Sequence, residues 1–326
     1  MMVATHSHAP KVVTPLAEPF FLVGAERSGT TLLRLMLTHH PQIRCLLESS
    51  YLVDYLTPEG GEPDGKVVRE QINADRVAQH AGFSLAPGES FVNAARAFVA
   101  KDSEASGKAI FGATIHRRLP AVLQVWPHAR FVNLIRDPRD VAPSVVAMGW
   151  AGNTWFGSRF WLEAQQDAQQ LFAQLEPNRG ITIRFEDLVS EPVTTLTKIC
   201  EFLGCDFDPA MLSYPEHSSY PPPDASAAAR WKKKLSTKDI RLVEAHVGDW
   251  LNTAGYEPSG QPLLQLSAWQ RTALLFQNRF AKSSFRIRRH GFFTLLSFTV
   301  SRKLGLTKAT QQLRRRMHQQ TNDILR

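Results

Sequence analysis

Two short segments carry residues whose types and spacing can do chemistry. The first is Gly24-Ala-Glu-Arg-Ser-Gly-Thr-Thr31. Its G-x-x-x-x-G-x-[ST] spacing is that of a Walker A loop, in which backbone amides converge on a phosphate. The Walker lysine is missing. Thr30 holds its position, and the positive charge lies inside the loop on Arg27. Such a loop lacks the contact to β- and γ-phosphates, so it points to a nucleotide other than an ordinary triphosphate. A plain strand-to-helix turn with structural glycines is the alternative. The second segment is Arg136-Asp-Pro-Arg-Asp-Val-Ala-Pro-Ser144, where a guanidinium and a hydroxyl two turns apart can hold a separate phosphate. Arg139 is placed to pair with Asp137 or Asp140 on the surface.

The flanking elements put both segments where ligands bind. PFFLVG, residues 19–24, is a short apolar run stopped by glycine and reads as a buried parallel strand. Leucines at 32, 33, 35 and 37, with Pro41 beyond, predict a helix over residues 30–39. RFVNLI, residues 130–135, is a second clear strand, and Arg136 sits at its carboxyl end, where doubly wound sheets bind ligands. Asp137 caps a helix that begins with Pro138 and runs towards Met148. Residues 109–112 suggest a strand, 119–126 a short helix and 155–175 a long one. ITIRF, residues 181–185, is a third clear strand, and 193–203 a helix closed by Gly204. Residues 49–106 and 148–159 read as loops around a cleft, residues 221–229 as a mobile linker, and 230–234 as the lead into a helix capped by Ser236 or Thr237. The alternation predicts an α/β, P-loop-type three-layer fold: a mainly parallel sheet flanked by helices.

Together the two motifs resemble the 5′-phosphosulfate loop and the 3′-phosphate motif of sulfotransferases that use 3′-phosphoadenosine 5′-phosphosulfate (PAPS). That family's loop has an internal arginine and no Walker lysine. ARFVNLIRDPRDVAPS, RFEDLVSEP and ICEFLG are close to family forms, and the match runs over about residues 19–256. The resemblance implies no metal. It implies Arg27, Ser28, Gly29, Thr30 and Thr31 on the 5′-phosphosulfate, and Arg136 and Ser144 on the 3′-phosphate. HPQIRCLLESSYL resembles a tyrosylprotein sulfotransferase segment. On that likeness Glu48, 21 residues after Arg27, is the catalytic base and Arg44 its neighbouring arginine. A base needs a raised pKa, which burial beside Leu46 and Leu47 would supply; a solvated loop glutamate is the alternative. The sequence departs from the family at the catalytic lysine. Phe-Gly-Ala-Thr-Ile-His116 stands where a Lys-Thr-Pro-like stretch is usual, and Lys108 lies too early. His116 or Thr114 could replace the donor, or Arg27 could carry the charge alone. His116 is also a candidate base titrating near neutrality, or a plain loop histidine. Arg230, Trp231 and Lys232 resemble a late basic segment that closes over the nucleotide; a solvated charge run fits nearly as well.

The implied reaction is sulfuryl transfer from PAPS to a hydroxyl or phenol of a glycan, lipid, peptide tyrosine or small metabolite. The rivals are a P-loop kinase and a non-catalytic nucleotide-binding protein of sulfotransferase descent. With 326 residues, 43% hydrophobic and 21% charged, fibrous and wholly disordered readings are excluded. Three cysteines (Cys45, Cys200, Cys205) are too few for a disulfide scaffold, and none has zinc spacing with a histidine. The N-terminus lacks the apolar core of a signal peptide, and the run at 291–300 is about half a membrane span. The expectation is a cytoplasmic protein, peripheral at most to the inner face of the membrane. Residues 261–326 hold 13 Lys/Arg against one acid, while the rest of the chain is slightly acidic. Aromatic residues interleave with those arginines. That suggests amphipathic helices that dock on an anionic membrane, cap the catalytic domain or pair in a homodimer. No recognition motif accompanies the charge, so nucleic acid is not the expected partner. The expected divisions are a disordered or extended segment 1–18, a catalytic domain 19–258 and a basic helical extension 259–326.

Overall fold

The computed structural model describes residues 18–57, 61, 63–306, 309–314 and 316–317. The expected N-terminal segment lies outside these residues except for Glu18. In chain order the elements are β1 (Phe20–Val23), α1 (Thr30–His39), β2 (Ile43–Glu48), α2 (Gly65–Ala74), α3 (Arg76–Ala81), α4 (Phe91–Ser106), β3 (Ile110–Ile115), α5 (Val122–Val125), β4 (Arg130–Ile135), α6 (Pro138–Ala147), α7 (Thr154–Phe172), β5 (Gly180–Arg184), α8 (Phe185–Ser190), α9 (Pro192–Leu203), α10 (Trp231–Lys234), α11 (Thr237–Val247), α12 (Trp250–Thr253), α13 (Ala268–His290) and α14 (Phe292–Lys303). The five strands form one parallel sheet in the order β2-β3-β1-β4-β5.

The chain divides into two compact units, each discontinuous in sequence. One comprises residues 1–135 and 166–228, the other 136–165 and 229–326. The first unit holds the sheet, buried on both faces. Phe20 and Leu22 face a layer built from Leu33, Met36 and Leu37 of α1 and from α8 and α9. Phe21 and Val23 face the opposite layer, with Val99 of α4, Trp126 and Leu171. This alternation explains why β1 is apolar at every position. The three layers and the parallel sheet are those expected from the sequence.

Several local expectations change. IRCLLE, with no clean alternation, forms β2 at the sheet edge. Its register against β3 slips between Leu46 and Glu48, a bulge that leaves Leu47 exposed. Residues 49–106 are not simply loops: α2, α3 and α4 lie there, capped by the side chains of Asp64, Asp75 and Ser90. The strand expected at 109–112 runs on to Ile115, and Phe185 opens α8 rather than ending β5.

In the second unit Arg139 is buried, not on the surface. Its guanidinium grips Asp137 with two hydrogen bonds (2.9 and 2.7 Å) and reaches Glu244 at 2.7 Å. Glu244 also accepts from the backbone and hydroxyl of Ser259. The Trp231 ring lies 3.8 Å from the guanidinium carbon, and its backbone N–H donates to Asp140. One arginine therefore ties α6, α10 and α11 together.

Candidate active site

The loop between β1 and α1 is shaped by positions that only glycine tolerates. Gly24 has φ 148°, and a Cβ there would sit 2.3 Å from the Leu134 carbonyl oxygen of β4. Gly29 has φ 98°, and its Cβ would strike the Phe185 ring at 2.4 Å. That contact gives RFEDL a physical role, since Phe185 covers the end of the loop. Arg27 adopts φ 70° without being glycine, a conformation costing about 1–2 kcal/mol. It sits exposed at the loop crown.

α1 starts at Thr30 with no side-chain cap and no acid in its first turn. Its first amides are thus open to an anion, and the helix dipole favours one. Ser28 is fully buried, and its hydroxyl has no hydrogen-bond partner among the described residues. An orphaned buried hydroxyl beneath uncapped amides is what a bound phosphate or sulfate oxygen would satisfy. The residues fit a phosphosulfate group.

Three strand ends bring the other candidates to this loop. Gly24 follows β1, His116 follows β3 and Glu48 ends β2, with Val23 opposite Ile115 and Glu48 opposite Thr114. The His116 ring bridges them. Its Nδ1 lies 2.8 Å from the Gly24 carbonyl, which can only accept, so Nδ1 carries a proton. Its Nε2 lies 2.9 Å from Glu48 Oε2. Ser50 completes the cluster: its backbone N–H donates to Glu48 Oε1, its hydroxyl bonds the same oxygen, and His116 N–H donates to the Ser50 hydroxyl.

The electrostatics reverse one expectation. Burial raises the Glu48 pKa, but His116 and the Ser50 hydroxyl outweigh it and hold the carboxyl at about 2. Burial lowers the His116 pKa, but Glu48 outweighs it and lifts the ring to about 9. The pair is therefore carboxylate and imidazolium, with one proton between them. Glu48 is neither a solvated loop residue nor a carboxyl raised by burial. Exposed Leu47 gives it no apolar cover, and a third of its side chain faces solvent. Glu26 in the loop is the second acid near His116, and burial raises its pKa.

Other candidates are occupied elsewhere. The Thr114 hydroxyl donates to the Leu46 carbonyl and is buried, which removes it as a replacement donor. Arg44 pairs with Asp102 at 3.1 Å. Lys108 donates to the carbonyls of Thr38, His40 and Ile43, closing the end of α1. Arg136, Ser144, Arg230 and Lys232 belong to the second unit. There the Arg136 carbonyl accepts from Trp161, Ser144 is half-buried on α6, and Arg230 and Lys232 are exposed beside buried Trp231. A cavity of about 570 Å³, lined by Lys238, Arg241, Leu264, Leu266, Trp269 and Leu274, contains none of these residues.

The fold also assembles a cluster that spacing did not announce. His40, Cys200 and Cys205 place ligand atoms within 4.8 Å of one another, all buried. The His40 ring is already engaged, since Gln42 N–H donates to Nδ1 and Nε2 lies 2.9 Å from the Asp206 carbonyl.

The chain is 25% identical over 272 residues to protein-tyrosine sulfotransferase 1 of Danio rerio, covering 74% of this chain and 73% of that one. It is 23% identical over 158 residues to the omega-hydroxy-beta-dihydromenaquinone-9 sulfotransferase of Mycobacterium tuberculosis, covering 43% and 39%. Among solved structures, the sulfotransferase domain from the curacin biosynthetic pathway shares its fold, with TM-score 0.52 and 22% identity over 75% of this chain and 99% of that one. The model of the Sulfotransferase family matches residues 19–209, which take in the loop, the β2 bulge, His116 and the Arg136 motif, and the chain belongs to that family.

Proposed function

We propose that this sulfotransferase uses PAPS as donor and transfers its sulfuryl group to a hydroxyl or phenol, releasing 3′-phosphoadenosine 5′-phosphate (PAP). One observation carries the reading: the His116 ring ties the Glu48 carboxylate to the first carbonyl of an uncapped, anion-ready loop. A proton acceptor and a cation thus stand at the edge of the phosphate site, the two groups that sulfuryl transfer asks of a protein.

The donor, when bound, supplies an activated sulfuryl group, and no metal is required for it. The amides of Gly29, Thr30 and Thr31 and the orphaned Ser28 hydroxyl hold the 5′ end, and Arg27 adds charge at the crown. Glu48 receives the proton of the acceptor hydroxyl. His116, keeping its second proton on Nε2, supplies the positive charge that a lysine supplies in the family pattern. Arg136 and Ser144 take the 3′-phosphate, and Arg230 and Lys232 add charge to the nucleotide. These four assignments rest on the motif resemblance. The relatives named above carry a protein tyrosine and an omega-hydroxy-beta-dihydromenaquinone-9 in their names, so the acceptor is assigned only as a hydroxyl. Three buried cysteines, none in a disulfide, support a reducing, cytoplasmic setting.

Thermal stabilisation by PAP, with ADP and Mg·ATP as controls, tests this. At a hundred times its Kd, PAP adds about 2.7 kcal/mol and raises Tm, whereas ADP, lacking the 3′-phosphate, adds less. Stabilisation by Mg·ATP alone would turn the assignment to a kinase. PAP binding with no turnover of PAPS over hydroxyl and phenol acceptors would make the chain a non-catalytic descendant.

A further inference from the structure

Helix α13 has an aromatic face that its own packing does not explain. One side of it is docked. Gly149 leaves room for Phe285, and Gly152 abuts Asn278 and Ala281. Gly152 N–H donates to Asn278, and the Asn153 amide donates to the Leu274 carbonyl. At 100° per residue, Leu274, Asn278, Ala281 and Phe285 span about 60° of the helix surface. The opposite side carries Trp269, Phe276, Phe280 and Ile287, which fall within about 20° of a single line running about 27 Å along the helix. Trp269, Phe276 and Phe280 are 72%, 62% and 78% exposed. Gly291 ends the helix, and α14 follows with Phe292, Phe293, Leu296 and Val300 also facing solvent. Contiguous exposed apolar surface on this scale marks an interaction site.

Charge identifies the occupant. Arg279 and Arg286 lie on one flank of the aromatic line and Arg288 on the other, and residues 261–306 contain no acid. A second copy of the chain would bring this face against itself and stack arginines on arginines with no counter-charge. A nucleic acid would satisfy the arginines but offer nothing to a row of phenylalanines. An anionic lipid surface satisfies both, with rings in the acyl boundary and guanidinium groups at the headgroups. No helix of the described residues is long and apolar enough to cross a membrane, so the contact lies in the plane of the surface.

We propose that α13 and α14 form an in-plane docking face for an anionic lipid bilayer. The proposal does not depend on which donor or acceptor the enzyme uses.

The test is co-sedimentation of the full chain with vesicles of phosphatidylcholine alone, or with about one third phosphatidylglycerol. The wild type should bind the anionic vesicles, release them in high salt, and ignore the neutral ones. Phe276→Ser with Phe280→Ser should abolish binding. Arg279→Gln with Arg286→Gln should weaken it about 30-fold. Both pairs face solvent, so each variant should keep the wild-type Tm and circular dichroism. Three results would overturn the proposal: equal binding to neutral vesicles or none to either; a DNA duplex bound as tightly as anionic vesicles; or a dimer, seen by light scattering, that the phenylalanine variant dissolves.

Discussion

Replacing Glu48 by Gln removes one charge and leaves the shape, and its consequence can be read at His116. The ring is 8% exposed at its side chain, so burial alone would push its pKa below 6.5; chiefly the Glu48 carboxylate at 2.9 Å lifts it to about 9, with Glu26 and the Gly24 carbonyl assisting. The nearby cation, Arg117, is engaged by Asp54 through Nε at 2.9 Å. In Glu48→Gln the ring keeps its burial and loses its main counter-charge. Its pKa should fall from about 9 to 6.5 or lower. For a fully buried pair that change would correspond to about 3 kcal/mol. A third of the Glu48 side chain faces water, and the Glu48 and His116 shifts describe one interaction rather than two. The stabilisation is therefore about 1–2 kcal/mol. The signs follow. The raised His116 pKa gives stability that is full below pH 6.5 and lost as pH rises through about 9. The depressed Glu48 pKa gives stability present above pH 4.5 and lost as pH falls towards about 2. Histidine-labelled protein followed by carbon-detected NMR from pH 5 to about 10 reads the ring directly. The wild-type His116 resonance should stay in its imidazolium position through neutrality, and the variant should titrate at or below 6.5. A wild-type ring that titrates near 6.5, or one indifferent to the Glu48 change, would refute the charged pair and the role built on it.

Two further substitutions separate scaffold from site. Lys108→Met removes donors from three carbonyls at the end of α1, which should lower stability by about 2 kcal/mol in a denaturant titration and leave KM for the donor unchanged. A fall in kcat at constant stability would instead give Lys108 the family lysine's task. Arg139→Met leaves Asp137 and Glu244 buried without their partner, at a cost of about 3–5 kcal/mol by the same measurement, and a loss under 1 kcal/mol would remove Arg139 as the tie between α6, α10 and α11.

The parts of the fold legible in the sequence are those with strong local grammar. β1 is an unbroken apolar run, β4 is apolar at all but Arg130 and Asn133, α1 carries leucines at helical spacing, and Asp137 caps α6 before Pro138, so these elements sit where spacing puts them. β2 was hidden because it is an edge strand interrupted by a bulge, where Leu47 breaks the alternation and faces solvent. α4 had readable signals: Ser90 as cap, apolar Phe91, Ala94, Ala95 and Val99 on one stripe, and Gly107 in the left-handed conformation at its end. At the site, residue types and spacing pointed to the loop, and the family resemblance to Glu48 and His116, but neither pointed to their mutual contact. Strand order decides that contact, by setting β3 between β1 and β2, and strand order is non-local. The contact of Ser50 with His116 and the cluster of His40, Cys200 and Cys205 were invisible because they join residues far apart in the sequence.

The pairing changes how the departure from the family pattern should be understood. A lysine in this place would be a permanent cation, independent of the base. His116 is a cation chiefly because Glu48 makes it one, and Glu48 is a weak base chiefly because His116, with the Ser50 hydroxyl, holds its charge. The same hydrogen bond that creates the positive charge therefore lowers the basicity of the carboxylate. In the proposed reaction this coupling works in the productive direction. Negative charge developing in the loop competes for the Nε2 proton, and as the ring is drawn from Glu48 the carboxylate loses the interaction that kept its pKa near 2. Burial then raises that pKa, and Glu48 becomes a better proton acceptor when the acceptor hydroxyl must lose its proton. A base and a cation on separate residues would not be timed to each other in this way; on one shared proton they are.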